Sequence, residues 1–406
     1  MKKNRKGRAV IILLTAVLLL LNSLPLFSAE KQNAGQQLEP QTQATTLVGK
    51  LNLPGKLGEV VAKTPIGIEK GQINPQVEKG FAGIPGAPQI NYVVAFFWAI
   101  WVGWIFATVG AFGGIMSGVG HMTLFALGAY ASSFKSTNPE LNALLTDTIR
   151  ASNQYLVGLT ALILTWNFYR MKRLVVPLGV TLGVGSLFGA MLITYFTADK
   201  LKFDQYQGYF GVLVLIIGGV MFAGTTQQSL SKKKITEEMS KKLHQRVKEH
   251  GTTERVHNLS SSLSKISFSF YGAEFSFNPL LAILGGAFIA AISAFLGVGG
   301  GFLYVSFLTH IIGLPMYIVV GTSALAVLLS MSASLFTHAV LKGTFISWDL
   351  VGIEMLGVFV GAMIGPKTQK YIPEKWLRYL FIFLSAYVGI AYFSKGFFGR
   401  SWLPMG

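Results

Sequence analysis

The sequence contains no cysteine. That absence removes disulfides, thiolate metal sites, iron–sulfur clusters and cysteine nucleophiles. Charge is scarce as well: Asp, Glu, Lys and Arg make up 13% of the 406 residues, about half the ~25% of a soluble domain. Catalytic signatures are missing too. There is no His/Glu zinc spacing, no P-loop, no Gly-x-Ser-x-Gly elbow and no pair of carboxylates within an apolar run. Gly297-x-Gly299-x-Gly301 looks like part of a nucleotide loop, but no lysine follows it and apolar residues flank it. The reading is therefore not an enzyme, with no cofactor and no metal.

What the chain has in quantity is apolar residues, at 51%, and glycine, at 46 residues. Together they suit a polytopic membrane protein whose helices pack backbone to backbone. The net charge of +17 could suggest nucleic acid, but no Lys/Arg stripe alternates with exposed aromatics as a strand-tracking groove requires. The basic residues sit beside apolar runs, where they act as a topology signal.

Residues 1–29 carry a basic head (Lys2, Lys3, Arg5, Lys6, Arg8), an apolar run and Phe27-Ser28-Ala29. They read as a signal peptide or an uncleaved signal anchor. Residues 30–91 are rich in Gln, Pro, Gly and Thr and read as an irregular extracytoplasmic segment, too polar to bury a core. From Tyr92 the chain turns apolar, with segments at 92–116, 119–134, 152–169, 174–196 and 209–226. A second set follows at 279–298, 302–315, 318–341, 348–366 and 376–394. Most suit helices crossing ~30 Å of hydrocarbon, while 119–134 and 302–315 either cross or fold back as re-entrant hairpins.

The two sets define membrane repeats at 92–226 and 278–396, joined by a hydrophilic stretch at 227–277 and followed by a tail at 397–406. From Lys232 to Lys265 the linker holds nine Lys/Arg against four Asp/Glu. It reads as a solvated, partly helical cytoplasmic loop; its scattered histidines are no metal site. With residue 91 outside, Arg170, Lys172 and Arg173, the basic loop, and Lys367, Lys370 and Lys375 all fall in the cytoplasm. The location expected is a bacterial cytoplasmic (inner) membrane, with the C-terminus outside.

The sets also match each other. Gly118-Val119-Gly120-His121 aligns with Gly297-Val298-Gly299-Gly300, Thr148–Ser152 with Val319–Ser323, and Gly185–Met191 with Gly357–Met363. An odd number of crossings per half makes the copies inverted, an architecture that places a transport site where helices broken at glycine meet. Unwound backbone at that depth frees N–H groups, and the following helix start turns its positive dipole end the same way. Such a place favours an anion. Packing alone is the plainer use of the glycines.

At this point a resemblance emerges. Leu296-Gly297-Val298-Gly299-Gly300-Gly301-Phe302, Gly321-Thr322-Ser323, Gly343, Gly357-x-x-x-Gly361, Pro373 and Leu377-Arg378 resemble the second repeat of the TauE/SafE family of sulfite exporters and sulfonate-linked permeases. The resemblance implies secondary transport of small, often sulfur-containing anions. Ser306 stands where that family commonly has proline, and His121 and Met122 replace two glycines in the first half.

The candidate substrate-binding residues are Gly118, Gly120, His121, Arg150, Ser152, Asn153, Gly297, Gly299, Gly300, Gly301, Thr322 and Ser323. Arg150 suits an oxyanion through its fork of donors; the alternative is snorkelling to headgroups. The hydroxyls and amide offer neutral donors near helix starts, or bond back to their own backbone. Glu354 and His338 are candidates for a coupling proton, since an ionisable group inside an apolar segment is usually functional. The expectation is an all-α transporter with two inverted repeats. Its partners would be a small anion, the lipid bilayer, a proton or the membrane potential, and a second copy in a homo-oligomer. An anion channel, a sensor or assembly factor on the same scaffold, and carboxylate transport are the alternatives.

Overall fold

The computed structural model describes residue 53 and residues 55–109, 112–223, 257–262, 264–270, 273–314, 316–369 and 374–403. The leader (1–29), residues 30–52, most of the basic linker (227–256) and Lys370 and Pro373 lie outside the described residues.

The first apolar set folds as α2 (Tyr92–Val109), α3 (Phe112–Val119) continued by a π-helical turn (Gly120–Leu124), α4 (Leu127–Ser133), α5 (Pro139–Arg170), α6 (Val176–Thr197) and α7 (Phe203–Ala223). The second set folds as α8 (Pro279–Leu296), α9 (Gly301–Ser306) with the π turn Phe307–Ile311, α10 (Met316–Phe336) with the π turn Thr337–Leu341, α11 (Trp348–Gln369) and α12 (Glu374–Phe398). Among the described residues, five helices are long and apolar enough to cross a membrane: Val176–Thr197, Phe203–Ala223, Pro279–Leu296, Ile318–Leu341 and Trp348–Gly365. Shorter apolar helices cover Tyr92–Thr108 and Ile382–Phe398. Phe97, Phe188, Leu192, Phe288, Leu356 and Phe383 stand exposed on these helices, a surface suited to lipid and costly in water.

Local signals explain where the helices start. Pro139 and Pro279 each open a helix whose preceding asparagine caps it. The side-chain Oδ1 of Asn138 accepts from Leu141 N at 3.0 Å, and that of Asn278 from Leu280 N at 2.9 Å, the usual fate of orphan N–H groups at a helix start. Within the helices, hydroxyls such as Thr146, Thr148, Thr160 and Thr337 donate to the carbonyl four residues back, which satisfies them without a partner helix.

The packing crosses between the sets. α2 lies along α11, α8 along α6, α7 along α12, and α5 along α10. Glycine permits the first two pairings. A Cβ at Gly361 would lie 2.0 Å from Ile100 O, and one at Gly189 2.1 Å from Ala287 O. Neither carbonyl can withdraw without parting the helices, so Gly189→Leu and Gly361→Leu are each expected to destabilise by about 1–3 kcal/mol or more. Thermal unfolding in detergent checks this.

One expectation is corrected here: the chain is not all-α, since the described end of the linker forms strands. His257–Ser261 (β1), Ile266–Phe270 (β2) and Ala273–Phe277 (β3) form an antiparallel sheet in that order. The cause is the alternation Ile-Ser-Phe-Ser-Phe, which sends every second side chain to one face. Phe268, Phe270 and Phe277 are buried in the cluster that holds Val175 and Ile318. Phe268 pairs with Phe275, their rings stacked at 5.5 Å.

The segment before Tyr92 also buries a core, against expectation. Helix α1 (Gly55–Ala62) covers Leu57, Val60 and Val61, and Ile73, Phe81, Ile84 and Ala87 follow them into the interior. Its docking onto α5 is polar: Asn138 Nδ2 donates to Val60 O at 2.9 Å and to Thr64 Oγ1 at 2.8 Å. Lys56 pairs with Asp199 and Lys63 with Glu140. Asn138 is thus both cap and anchor. Asn138→Ala is expected to cost about 1–3 kcal/mol, read as a lowered unfolding temperature.

Candidate functional site

The glycine break of the second set lies where the sequence places it. Gly297 (φ 69°), Gly299 (φ 79°) and Gly300 (φ 62°) occupy the left-handed region, which a Cβ disfavours. Gly297 ends α8: its N–H reaches Ala294 O at 3.3 Å, and Val298 N reaches Ser293 O at 3.1 Å. Helix α9 then opens at Gly301.

The first set differs from expectation. Gly118 and Gly120 do not break a helix; they lie inside the continuous run from Phe112 to Leu124. Residues 110 and 111, between the helices Tyr92–Val109 and Phe112–Val119, lie outside the described residues. In the sequence, Gly110-Ala111-Phe112-Gly113-Gly114 carries glycine at the first, fourth and fifth places, as Gly297-Val298-Gly299-Gly300-Gly301 does. Tyr92 and Pro279 open the two first helices, and Gly120 and Phe307 the two π turns. Each pair stands 187 positions apart (279 − 92 and 307 − 120).

Gly114 meets the second break. A Cβ on Gly114 would lie 2.2 Å from Val298 O, and one on Gly299 would lie 2.2 Å from Val157 Cγ1, a side chain that also faces Gly114. The runs after the breaks hold eight α-helical and five π-helical residues in one set and six and five in the other. At ~1.5 Å per residue neither run crosses ~30 Å of hydrocarbon.

Beside this junction α5 carries Arg150, fully buried rather than at the helix opening or at headgroups. Residues 139–151, read as loop, are the first turns of α5. Arg150 Nη1 donates to Asp147 Oδ1 at 2.7 Å, and Nη2 to Thr197 Oγ1 at 3.1 Å and Ala294 O at 3.3 Å. Asp147 Oδ2 accepts from Asp199 N at 2.6 Å. The guanidinium is thus neutralised, and it also sits on the negative end of α8. Gly297 packs on the Arg150 backbone. Gln154 Nε2 also donates to Ala294 O, at 3.1 Å.

One turn along α5, Asn153 joins a second buried group. Its Oδ1 lies 2.6 Å from His121 Nδ1 and accepts from Ser117 Oγ at 2.9 Å. The other nitrogen of His121, Nε2, lies 2.9 Å from Glu354 Oε2 on α11. His121 is the second residue of its π turn, and such turns recur at functional sites. All four side chains are 0–1% exposed. Four buried polar atoms on α5 have no hydrogen-bond partner: Arg150 Nε, Asn153 Nδ2, Gln154 Oε1 and Thr165 Oγ1. An unmatched buried polar atom is costly, and the first three cluster within about one turn of the helix.

The structure thus gathers His121, Arg150 and Asn153 near Gly297, Gly299, Gly300 and Gly301, with Ser152 buried on the same helix. It takes Thr322 and Ser323 elsewhere. Thr322 Oγ1 donates to Ile318 O and accepts from Val175 N, bracing the turn before α6, while Ser323 bonds back to Val320 O. They serve the scaffold because α10 begins at Met316, so both lie in its first turns. His338 Nδ1 pairs with Thr344 Oγ1 at 3.0 Å and does not join Glu354. Sequence reasoning missed Asp147, Gln154 and Ser117. Asp147 was legible: an acid three residues before Arg150 forms a pair along a helix.

The sequence profile of the sulfite exporter TauE/SafE family matches residues 95–392, the whole of both apolar sets up to α12. Comparison with curated proteins and with solved structures gives no match. A profile match over most of the chain, on a multi-pass arrangement of apolar helices with a glycine break beside buried polar groups, makes this protein a member of the TauE/SafE sulfite exporter family, a family of membrane transporters.

Proposed function

We propose that the chain exports a small sulfur oxyanion or sulfonate, sulfite foremost, by alternating access between two inverted repeats. The observation that carries the reading is the glycine break at 297–300, packed against Gly114 and the Arg150 backbone, near Arg150 Nε and Asn153 Nδ2, two buried donors without partners. An oxyanion supplies the acceptors those donors lack. The crossed pairing supports the inversion: first helix with fourth and fourth with first, third with third, fifth with fifth. The basic runs put the end carrying α1 outside and the sheet end in the cytoplasm of a bacterial inner membrane.

No ATP is needed. An inside-negative potential drives an anion outward with about 2.3 kcal/mol per charge per 100 mV. The test is labelled sulfite flux into proteoliposomes under an imposed potential, with sulfate, thiosulfate, a sulfonate and a carboxylate as competitors. Saturable, potential-dependent flux that sulfur anions inhibit is expected. Flux that never accumulates sulfite against its gradient would favour a channel, binding without flux a sensor, and inhibition by the carboxylate alone would overturn the sulfur reading.

A further inference from the structure

We propose that His121, Asn153 and Glu354 form one proton-binding site, and that the Asn153 amide makes proton binding and anion binding interdependent. The inference rests on the transport reading above and deepens it by naming the coupling site.

The first argument comes from the equivalent positions of the other repeat. His121 is the second residue of its π turn, and Leu308 holds that place in the other. Glu354 is the seventh residue of α11, and Leu182 the seventh of α6, both helices being 22 residues long. Asn153 on α5 corresponds to Ala324 on α10 by the pairing of Thr148–Ser152 with Val319–Ser323. Leu182, Leu308 and Ala324 are all buried in one apolar cluster. The same backbone arrangement therefore closes with leucine, leucine and alanine. Burying an ion pair instead is unfavourable by comparison, so stability does not account for His121 and Glu354.

The second argument is the hydrogen-bond count. Both His121 nitrogens face oxygens, Asn153 Oδ1 and Glu354 Oε2. Only the doubly protonated ring donates to both. That form leaves Asn153 Nδ2 free, and the atom is unpartnered, beside Gly118 and the Phe210 ring. When His121 loses its Nδ1 proton, the bare nitrogen needs a donor. A half-turn of the Asn153 amide supplies Nδ2 to His121 and to Ser117, and takes it away from the anion. Proton bound, the pair is neutral and the donor faces the substrate; proton released, the pair carries a net negative charge and the donor is withdrawn. Both effects act in the same direction, so the anion and the proton bind together, and linkage makes the preference mutual. Sulfite carried as a dianion with one proton keeps a net charge of −1, on which the inside-negative potential still acts outward.

The other titratable groups around the site are accounted for. The Tyr206 phenol on α7 donates to Leu296 O, the Tyr392 phenol on α12 bonds Thr123 Oγ1, and the Arg150–Asp147 pair on α5 is internally neutral. Trp98 on α2 donates its indole N–H to Met116 O.

The test uses full-length protein in vesicles with an alkaline lumen and an acid bath, the potential clamped at zero. Vesicles without protein give the blank for leakage of neutral sulfur dioxide. Wild type is expected to accumulate sulfite in the lumen, up to about tenfold per pH unit for one proton carried per anion. In Glu354→Gln and in His121→Leu/Asn153→Ala/Glu354→Leu, which copies the apolar half, the ratio of flux with and without the gradient is expected to fall to about one. A wild-type ratio in either variant would overturn the proposal. A second readout needs no flux: nitrogen NMR of protein labelled in histidine, with the His121 signal assigned from His121→Asn. The His121 ring is expected to pass between its imidazolium and neutral forms as pH rises, with a changed titration in Glu354→Gln. A ring that keeps one form throughout would overturn the proposal even if sulfite is carried. If sulfite is not carried but His121 titrates with Glu354, only the transport reading fails.

Discussion

Asp147→Ala is expected to destabilise the protein by about 3–5 kcal/mol, because it strands the Arg150 guanidinium in the interior. Asp147 and Arg150 are both fully buried, and among the described residues Asp147 is the guanidinium's only carboxylate, at 2.7 Å. Asp147 also takes the Asp199 N–H, so the loss reaches the connection between α6 and α7. The double variant Asp147→Leu/Arg150→Met should recover most of the stability, since replacing a whole buried pair by apolar residues is often neutral. Thermal unfolding of the three proteins in detergent decides it. A single variant within about 1 kcal/mol of wild type would mean that water reaches the pair. The recovered double variant then isolates the functional question. If it folds as wild type but carries no sulfite, Arg150 acts on the anion and not only on α8.

Gly114→Ala is expected to abolish most transport. Its added methyl would lie 2.2 Å from Val298 O, a backbone atom that moves only if the second break moves with it. The stability loss expected is about 1–3 kcal/mol, with flux down about tenfold or more. Val157→Ala in the same protein would clear the side-chain contact but not the carbonyl, so rescue is expected to be slight. Gly219→Ala on α7 is the control: nothing lies within 4 Å of its added Cβ, and helix propensity favours alanine there by roughly 0.5–1 kcal/mol. Undiminished flux in Gly114→Ala would show that Gly114 need not touch the second break for transport.

Much of the helical frame was legible because lipid-spanning runs are long and nearly uncharged. The second break was legible because Gly297, Gly299 and Gly300 all need backbone angles that glycine allows. Gly118 and Gly120 were misread as a break for a physical reason. They are there to let Phe210, Asn153 and Trp98 approach, and close approach selects glycine as strongly as an unwound backbone does. Thr322 and Ser323 misled for a similar reason, since a hydroxyl near a helix start bonds its own backbone as readily as a ligand. The His121–Glu354 contact was beyond reach: the two lie 233 positions apart, and no local pattern brings together residues of different repeats. The sheet was hidden by the serines of Ile266–Phe270, whose polarity resembles a solvated loop until the alternation is counted.

The crossed pairing of α2 with α11 and of α8 with α6 has a consequence for the chain as a polymer. Each half lends its first helix to the other, as two protomers do in a swapped dimer. A fragment ending near residue 226 would carry α2 with no α11 against it and α6 with no α8, so the close backbone contacts of Gly189 with Ala287 and of Ile100 with Gly361 would be lost. Lipid can cover the bare apolar stripes, but the complementary fragment restores that packing. Cutting the chain in its linker should therefore leave a protein that reassembles when both pieces are made together, and neither piece stable when made alone.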